Sequence, residues 1–265
     1  MSCSICGAHF DGYSSNAATT TVVGDAAVTG RKADVILAAW NAFQAAQRQI
    51  GEATTNNQVT DVIQKMAEQF NCNAVEGVLS HKVGRHLCDG NDVIINRAQG
   101  SQQVAEWQFS PGDVIGLDVY VSTGEGKPKE ADARCTVFKR ELDQVYNLKM
   151  KSARAFFVEV NKRFPTLPFS IRAMNDQTAA KVGVRECLNH DMLIPYPVLK
   201  EKEGEFVAQF KATIVVQPRS TAVIAGAKAL NVERYSSELS VEDPILKAVL
   251  AKDLWKKEKV KKNAA

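Results

Sequence analysis

Residues Val114-Ile-Gly-Leu-Asp-Val-Tyr-Val121 form a nearly unbroken apolar run, and no other segment constrains the chain as much. A strand that is greasy on both faces belongs inside a sheet that is covered on both sides. The turn Ser110-Pro-Gly-Asp113 leads into the run, which carries one carboxylate, Asp118. A buried acid is costly unless it is paired or hydrogen-bonded, so Asp118 marks a position to watch. A second long strand, Phe206 to Val216, is stopped by Pro218 and holds one cation, Lys211, in apolar company.

Helical spacing is clear elsewhere. Ala33, Ile36, Leu37, Trp40, Phe43, Gln47 and Ile50 recur at a 3.6-residue period, predicting a helix from Arg31 to Ile50 with Gly51 at its end. Thr55-Asn-Asn-Gln58 fits a capping box opening a second helix, with Val59, Val62, Ile63, Met66 and Phe70 on one side. Both stripes read as core. Thr20 to Val23 is expected to be a strand, preceded by a hairpin turn at His9-Phe-Asp-Gly12. Cys135 to Lys139 is expected to return as a strand. Lys151 to Phe164 and Gln177 to His190 are expected helices, followed by a break at Pro195 and Pro197. A last helix should start near Asp243 and run through Leu250 or Trp255.

At 265 residues with 45% hydrophobic content, the chain can bury the core of one or two domains. It has no 18-residue apolar run for a membrane span and no basic start with a greasy core for a secretory signal. No membrane partner is expected. Without such a signal the six scattered cysteines read as reduced thiols of a cytosolic or nuclear protein. The net charge of +3 is unevenly spread: Lys247 to Ala265 holds seven lysines and two acids, net +5, leaving −2 for the rest. A basic tail on a slightly acidic body points to a polyanion partner, or to a solvated end.

Local chemistry is sparse. Cys3-x-x-Cys6 is half of a zinc motif without a second pair at a usual distance. Gly124-Glu-Gly126 is too short for a phosphate loop, and no Lys-Ser or Lys-Thr follows it. The histidines (His9, His81, His86, His190) form no HExxH, and no GxSxG elbow occurs. From these features the chain is an α+β protein with a basic tail, and no cofactor is expected.

Five stretches carry a resemblance: Thr29-Gly-Arg-Lys-Ala-Asp-Val-Ile36, Glu76-Gly-Val-Leu-Ser-His81, Ser122-Thr-Gly-Glu-Gly-Lys127, Leu148-Lys-Met-Lys-Ser-Ala-Arg-Ala-Phe-Phe157 and Glu201-Lys-Glu-Gly-Glu-Phe-Val-Ala-Gln-Phe-Lys211. From about His9 to the lysine tail the chain resembles the proliferation-associated, ErbB-binding protein family. The resemblance implies the pita-bread fold of type 2 methionine aminopeptidases, with a helical, winged-helix-like insertion. The implied domains are 1–146 with 198–246 for the sheet and helices, 147–197 for the insertion, and 247–265 for the last helix end and lysine tail. The chain begins at a point that lies mid-domain in the family, so the first half of the pseudo-symmetric fold is expected to be missing from it: either the sequence is a truncated piece, the favoured reading, or it is a genuine half with a sheet edge left open.

The active enzymes of this fold bind two metals through two aspartates, a histidine and two glutamates. Carried over motif by motif, those positions fall at Ile5, Asn16, His81, Asp118 and Lys211. An aliphatic chain, an amide and an ammonium then stand where carboxylates are needed, and a cation is the least suitable neighbour for dications. The resemblance thus implies a catalytically inactive aminopeptidase homologue that binds ribosomal subunits or structured RNA in ribosome biogenesis, translation or growth control, in cytoplasm and nucleus or nucleolus. Lys252, Lys256, Lys257, Lys259, Lys261 and Lys262 are the expected nucleic-acid contacts. The alternatives are an active metallo-aminopeptidase, or an adaptor or transcriptional co-regulator that contacts signalling or transcription proteins without RNA. The family's LxxLL-type motif reads here as Leu246-Lys-Ala-Val-Leu250. The resemblance places Asp118 and Lys211 around one site, and two charges in buried strands there need partners, so Lys211 Nζ is expected within reach of Asp118 or a nearby acceptor, with His81 near; the alternative is Lys211 extending out of the sheet to solvent.

Overall fold

The structure is a computed structural model that describes residues 1–98, 104–226 and 229–254. The chain opens with β1 (Ser2–Phe10), β2 (Tyr13–Thr21) and β3 (Val28–Thr29), then helices α1 (Arg31–Gln49) and α2 (Asn56–Glu68). Strands β4 (Asn73–Ala74), β5 (Leu79–Val83), β6 (Val93–Ile95) and β7 (Val114–Ser122) follow. Next come β8 (Lys129–Glu130), β9 (Val137–Arg140), α3 (Lys151–Arg163), β10 (Phe169–Ser170), α4 (Gln177–Asn189), β11 (Leu193–Pro195) and β12 (Leu199–Lys200). The last elements are β13 (Val207–Gln217), β14 (Ser220–Gly226), β15 (Tyr235–Ser236) and α5 (Pro244–Leu250).

These elements form two compact units, Met1–Pro128 with the chain from Glu201 onward, and Lys129–Lys200. The first is built on an antiparallel sheet of order β1-β2-β13-β7-β5-β6, with β14 added beside β13 and β4 beside β7. The expected central strands are its middle. On β7, Ile115, Leu117, Val119 and Val121 are fully buried; on β13, Ala208, Phe210, Ala212, Ile214 and Val216 are fully buried. Alternation sends these side chains to one face, where α1 and α2 cover them. Trp40 and Phe43 of α1 meet Phe210 with ring centroids 5.2 and 5.9 Å apart. The capping box of α2 closes through Thr55 N donating to Gln58 Oε1 at 3.2 Å.

The hairpin turn falls at Asp11-Gly12, both with positive φ (48° and 86°), a two-residue turn whose twist suits the flanking strands. The strand expected at Thr20–Val23 is the end of a longer one: β2 starts at Tyr13, and Val23 is out of the sheet and 80% exposed. The hairpin fixes the register from its tip, overriding the local preference of the Thr and Val run. Its partner β1 is an edge strand whose nine residues are all exposed.

The Lys129–Lys200 unit is broader than the 147–197 insertion expected from sequence. Its sheet β10-β9-β11 takes in β9, which pairs with Phe169-Ser170 and with Leu193–Pro195, so the segment from Lys129 belongs here. Helices α3 and α4 pack through Phe156, Val160, Ala180, Val184 and Cys187 against Phe138 and Phe169.

The last helix is capped as its sequence suggests: Asp243 Oδ1 accepts from Ile245 N at 2.7 Å, with Pro244 in the first turn. It is shorter than the longest expectation; α5 ends at Leu250, and Trp255 lies outside the described residues. Leu246 and Val249 are buried in the main core, with Leu250 packed on it. The LxxLL-like stripe is therefore consumed by the protein's own core and presents no free leucine face to a receptor.

Candidate functional site

Residues that oppose each other across an antiparallel ladder point to the same side of the sheet. The register sets Ile5 opposite Ala18, Ala18 opposite Lys211, and Lys211 opposite Asp118, one row across β1, β2, β13 and β7. A parallel row runs Gly7–Asn16 on the first hairpin and Thr213–Gly116–His81 on β13, β7 and β5. The two halves of this second row are joined where Asn16 N donates to Thr213 Oγ1 at 2.8 Å and Thr213 Oγ1 donates to Asn16 O at 3.1 Å. Ile5, Asn16, His81, Asp118 and Lys211 thus share the sheet face opposite the helices. At about 4.8 Å per strand, Ile5 stands roughly 10 Å from Lys211; it is 64% exposed.

Asp118 is 7% exposed and both its oxygens are engaged. Lys211 Nζ donates to Oδ2 at 2.7 Å, and Gln209 Nε2 donates to Oδ1 at 2.8 Å. The Asp118 amide donates to Ser80 Oγ at 2.8 Å. Lys211 keeps 25% of its side chain open to solvent, so its charge is shared between the carboxylate and water. This arrangement resolves the cost of the two charges in buried strands: each neutralises the other. Burial, aided by the Asp118 charge, pushes the Tyr120 phenol well above its ordinary value. His81 Nδ1 lies 3.0 Å from Gly90 O and, because a carbonyl can only accept, is the donor of that bond.

Gln209 escaped the sequence reading. It sits two residues before Lys211, hence on the same face, and that alternation was the available signal. Thr20 does similar work on β2: Gln209 N donates to Thr20 Oγ1 at 2.8 Å and Thr20 Oγ1 donates to Gln209 O at 2.9 Å.

A pair of dications at this face would need several anionic oxygens. The five carried-over positions supply one carboxylate, one imidazole and one amide, and an ammonium lies against the carboxylate. The donor set does not fit a two-metal centre. Cys3 and Cys6 are three apart on one strand, so they point to opposite faces and cannot grip one ion together. The Gly124-Glu-Gly126 loop is a structural turn: Gly124 N donates to Ser122 Oγ at 3.0 Å, and Ser122 Oγ donates to Glu201 Oε2 at 3.1 Å.

Of the expected nucleic-acid contacts, Lys252 is described: Arg48 Nε donates to its carbonyl at 3.0 Å, and its Nζ reaches Gln49 Oε1 at 3.4 Å. Lys256, Lys257, Lys259, Lys261 and Lys262 lie outside the described residues. A second basic region was not singled out. The Lys129–Lys200 unit holds thirteen Lys and Arg against eight Asp and Glu, net +5.

Residues 3–154 match Metallopeptidase family M24. A potato protein named ERBB-3 binding protein 1 is 39% identical over 246 residues, covering 92% of this chain and 63% of that protein. Proliferation-associated protein A of Dictyostelium discoideum is 37% identical over 262 residues, covering 98% of this chain and 68% of that one. A solved structure titled as a thermophilic Arx1 superimposes with TM-score 0.85 at 27% identity, covering 93% of this chain and 72% of that one. The chain thus spans about two thirds of the length of such curated relatives. The architecture is the pita-bread fold that the resemblance implied. Agreement of the family match with near-complete coverage by proliferation-associated protein A leads to one conclusion: the chain belongs to metallopeptidase family M24, within its proliferation-associated, ErbB-binding group.

Proposed function

We propose that this chain is a non-peptidase member of its family that binds structured RNA, ribosomal RNA foremost, with the lysine-rich end as the principal contact. The observation that carries this reading is the Lys211–Asp118 pair, 2.7 Å long, on the sheet face that holds the positions the resemblance assigns to the enzymes' metal ligands. By the resemblance, Asn16 and Lys211 take positions at which those enzymes carry carboxylates. Converting this face to a metal site would require removing an ammonium already neutralised by the lone acid. For RNA the support is electrostatic: seven lysines against two acids between Lys247 and Ala265 make a dense source of phosphate contacts.

Two measurements on the full chain test the two halves. Isothermal titration with Mn2+ or Co2+, alongside turnover of a Met-initiated peptide, should show no stoichiometric metal and no turnover. Stoichiometric metal with hydrolysis would overturn the non-peptidase half. Binding to purified ribosomal subunits should weaken steeply as salt rises, with a linear log–log dependence. Binding that ignores salt, or none at all, would favour an adaptor that meets only proteins.

A further inference from the structure

The Lys129–Lys200 unit carries a hollow of about 300 Å3, lined by its own residues. Its floor is apolar: Phe138, Ile171 and Val184 are buried, and Leu188 is partly covered. Three cations ring the opening: Arg134 before β9, and Lys181 and Arg185 of α4. Lys181 and Arg185 are four apart, so they sit on one face of the helix, in line with Val184 and Leu188.

Among the described residues none of these three cations donates to a carboxylate or to any other acceptor, although each is exposed. None of the unit's eight carboxylates lines the hollow. Glu186, the nearest acid on α4, is instead 3.6 Å from His190 Nε2, and Asp176 is spent on the helix N-terminus, accepting from Thr178 N and Ala179 N at 2.9 Å. An apolar floor under uncompensated positive charge fits one chemistry: an apolar side chain flanked by acids.

We propose that this hollow docks a short acidic peptide segment of a partner protein, one large apolar side chain entering it while flanking Asp or Glu residues meet Arg134, Lys181 and Arg185. Its volume is at the small end of ligand pockets, enough for a side chain or two. RNA fits it less well. Base recognition needs an exposed aromatic face for stacking, whereas Phe138, the lining aromatic, is 2% exposed. A phosphate alone would satisfy the cations and leave the floor uncovered.

The test is fluorescence anisotropy of the full chain with a labelled hexapeptide carrying a central Leu-Phe pair between two acidic pairs. The double variant Lys181→Glu with Arg185→Glu should weaken binding at least about tenfold, a 1.4 kcal/mol effect. Arg134→Glu, off the helix, should act in the same direction and guards against a helix-specific folding defect; circular dichroism checks both. Replacing the central Leu-Phe by Ser-Ser should cost a comparable factor, which separates the hollow from simple attraction to the lysine tail. Absence of binding, equal binding of the Ser-Ser peptide, or indifference to the charge reversals would overturn the proposal. So would an oligouridylate that loses affinity in these variants while the peptide does not, which would make the hollow an RNA contact.

Discussion

At the scale of single residues, the pairing of Lys211 with Asp118 explains how two otherwise costly charges persist in the central strands. Lys211→Glu would set two carboxylates against each other with only Gln209 to relieve them. Removing one partner of a buried pair costs about 3–5 kcal/mol, and partial exposure of Lys211 lowers the expected loss to about 2–3 kcal/mol. Urea melts should show that loss, with peptidase activity still absent, since Asn16 and Ile5 offer no anion. Unchanged stability would mean the pair is incidental. Thiols offer a pH test. Burial pushes Cys72 up to about 11 and Cys187 up to about 12, so the folded protein holds them neutral. Unfolded thiols ionise near pH 9 and stabilise the unfolded chain above it. Their contribution to stability is full below pH 9 and falls as pH rises toward 11 to 12, by at most about 1.4 kcal/mol per pH unit for each thiol. Cys72→Ala should flatten the alkaline decline of the urea midpoint; an unaltered slope would exclude this thiol.

At the scale of elements, the long periodic segments were legible and the short ones were not. Helices α1 and α2 announced themselves because a 3.6-residue apolar stripe has few other uses, and β7 and β13 because their runs exceed what a loop tolerates. The edge strand β1 was missed: Ser-Cys-Ser-Ile-Cys-Gly-Ala-His-Phe has no alternation, since neither of its faces is buried. Only the Asp11-Gly12 turn and the ladder to β2 make it a strand. The five positions of the sheet face could be named from motifs, but that they form two adjacent rows follows from register, which no local pattern encodes. In the insertion, helix spacing gave α3 and α4, while their close approach depends on one glycine. A Cβ at Gly183 would fall 2.6 Å from the Phe156 ring, which is buried and cannot retreat. Alanine is the better helix former by about 1 kcal/mol, yet overpacking costs about 1–3 kcal/mol, so Gly183→Ala should come out near neutral to destabilising. Gly183→Val, with more bulk and poorer helix propensity, should destabilise clearly. Hydrogen exchange confined to residues 129–200 is the readout. Stabilisation by valine would mean the helices have room to part.

At the scale of the whole molecule, the net charge of +3 conceals opposing regions. The Lys129–Lys200 unit is +5 and the Lys247–Ala265 end is +5, so the remaining chain is −7. That segregation was open to the sequence in its tail and hidden in its insertion, because thirteen cations spread over 72 residues form no run. The two basic regions differ in what accompanies the charge. The insertion sets its cations around an apolar hollow, which suits a side chain; the tail after Trp255 offers five lysines with no aromatic residue and Val260 as the one large apolar side chain, which suits a line of phosphates. Deleting Lys256 to Ala265 removes five lysines and one glutamate. Each phosphate neutralised contributes about 0.7–0.9 to the log–log salt slope of binding, so the deletion should flatten that slope by about 3–4 for structured RNA and weaken affinity most at low salt. Binding of the acidic hexapeptide to the insertion should survive the deletion. If instead RNA affinity and slope are untouched while peptide binding falls, the tail is the peptide's contact and the assignment of the two basic regions is reversed.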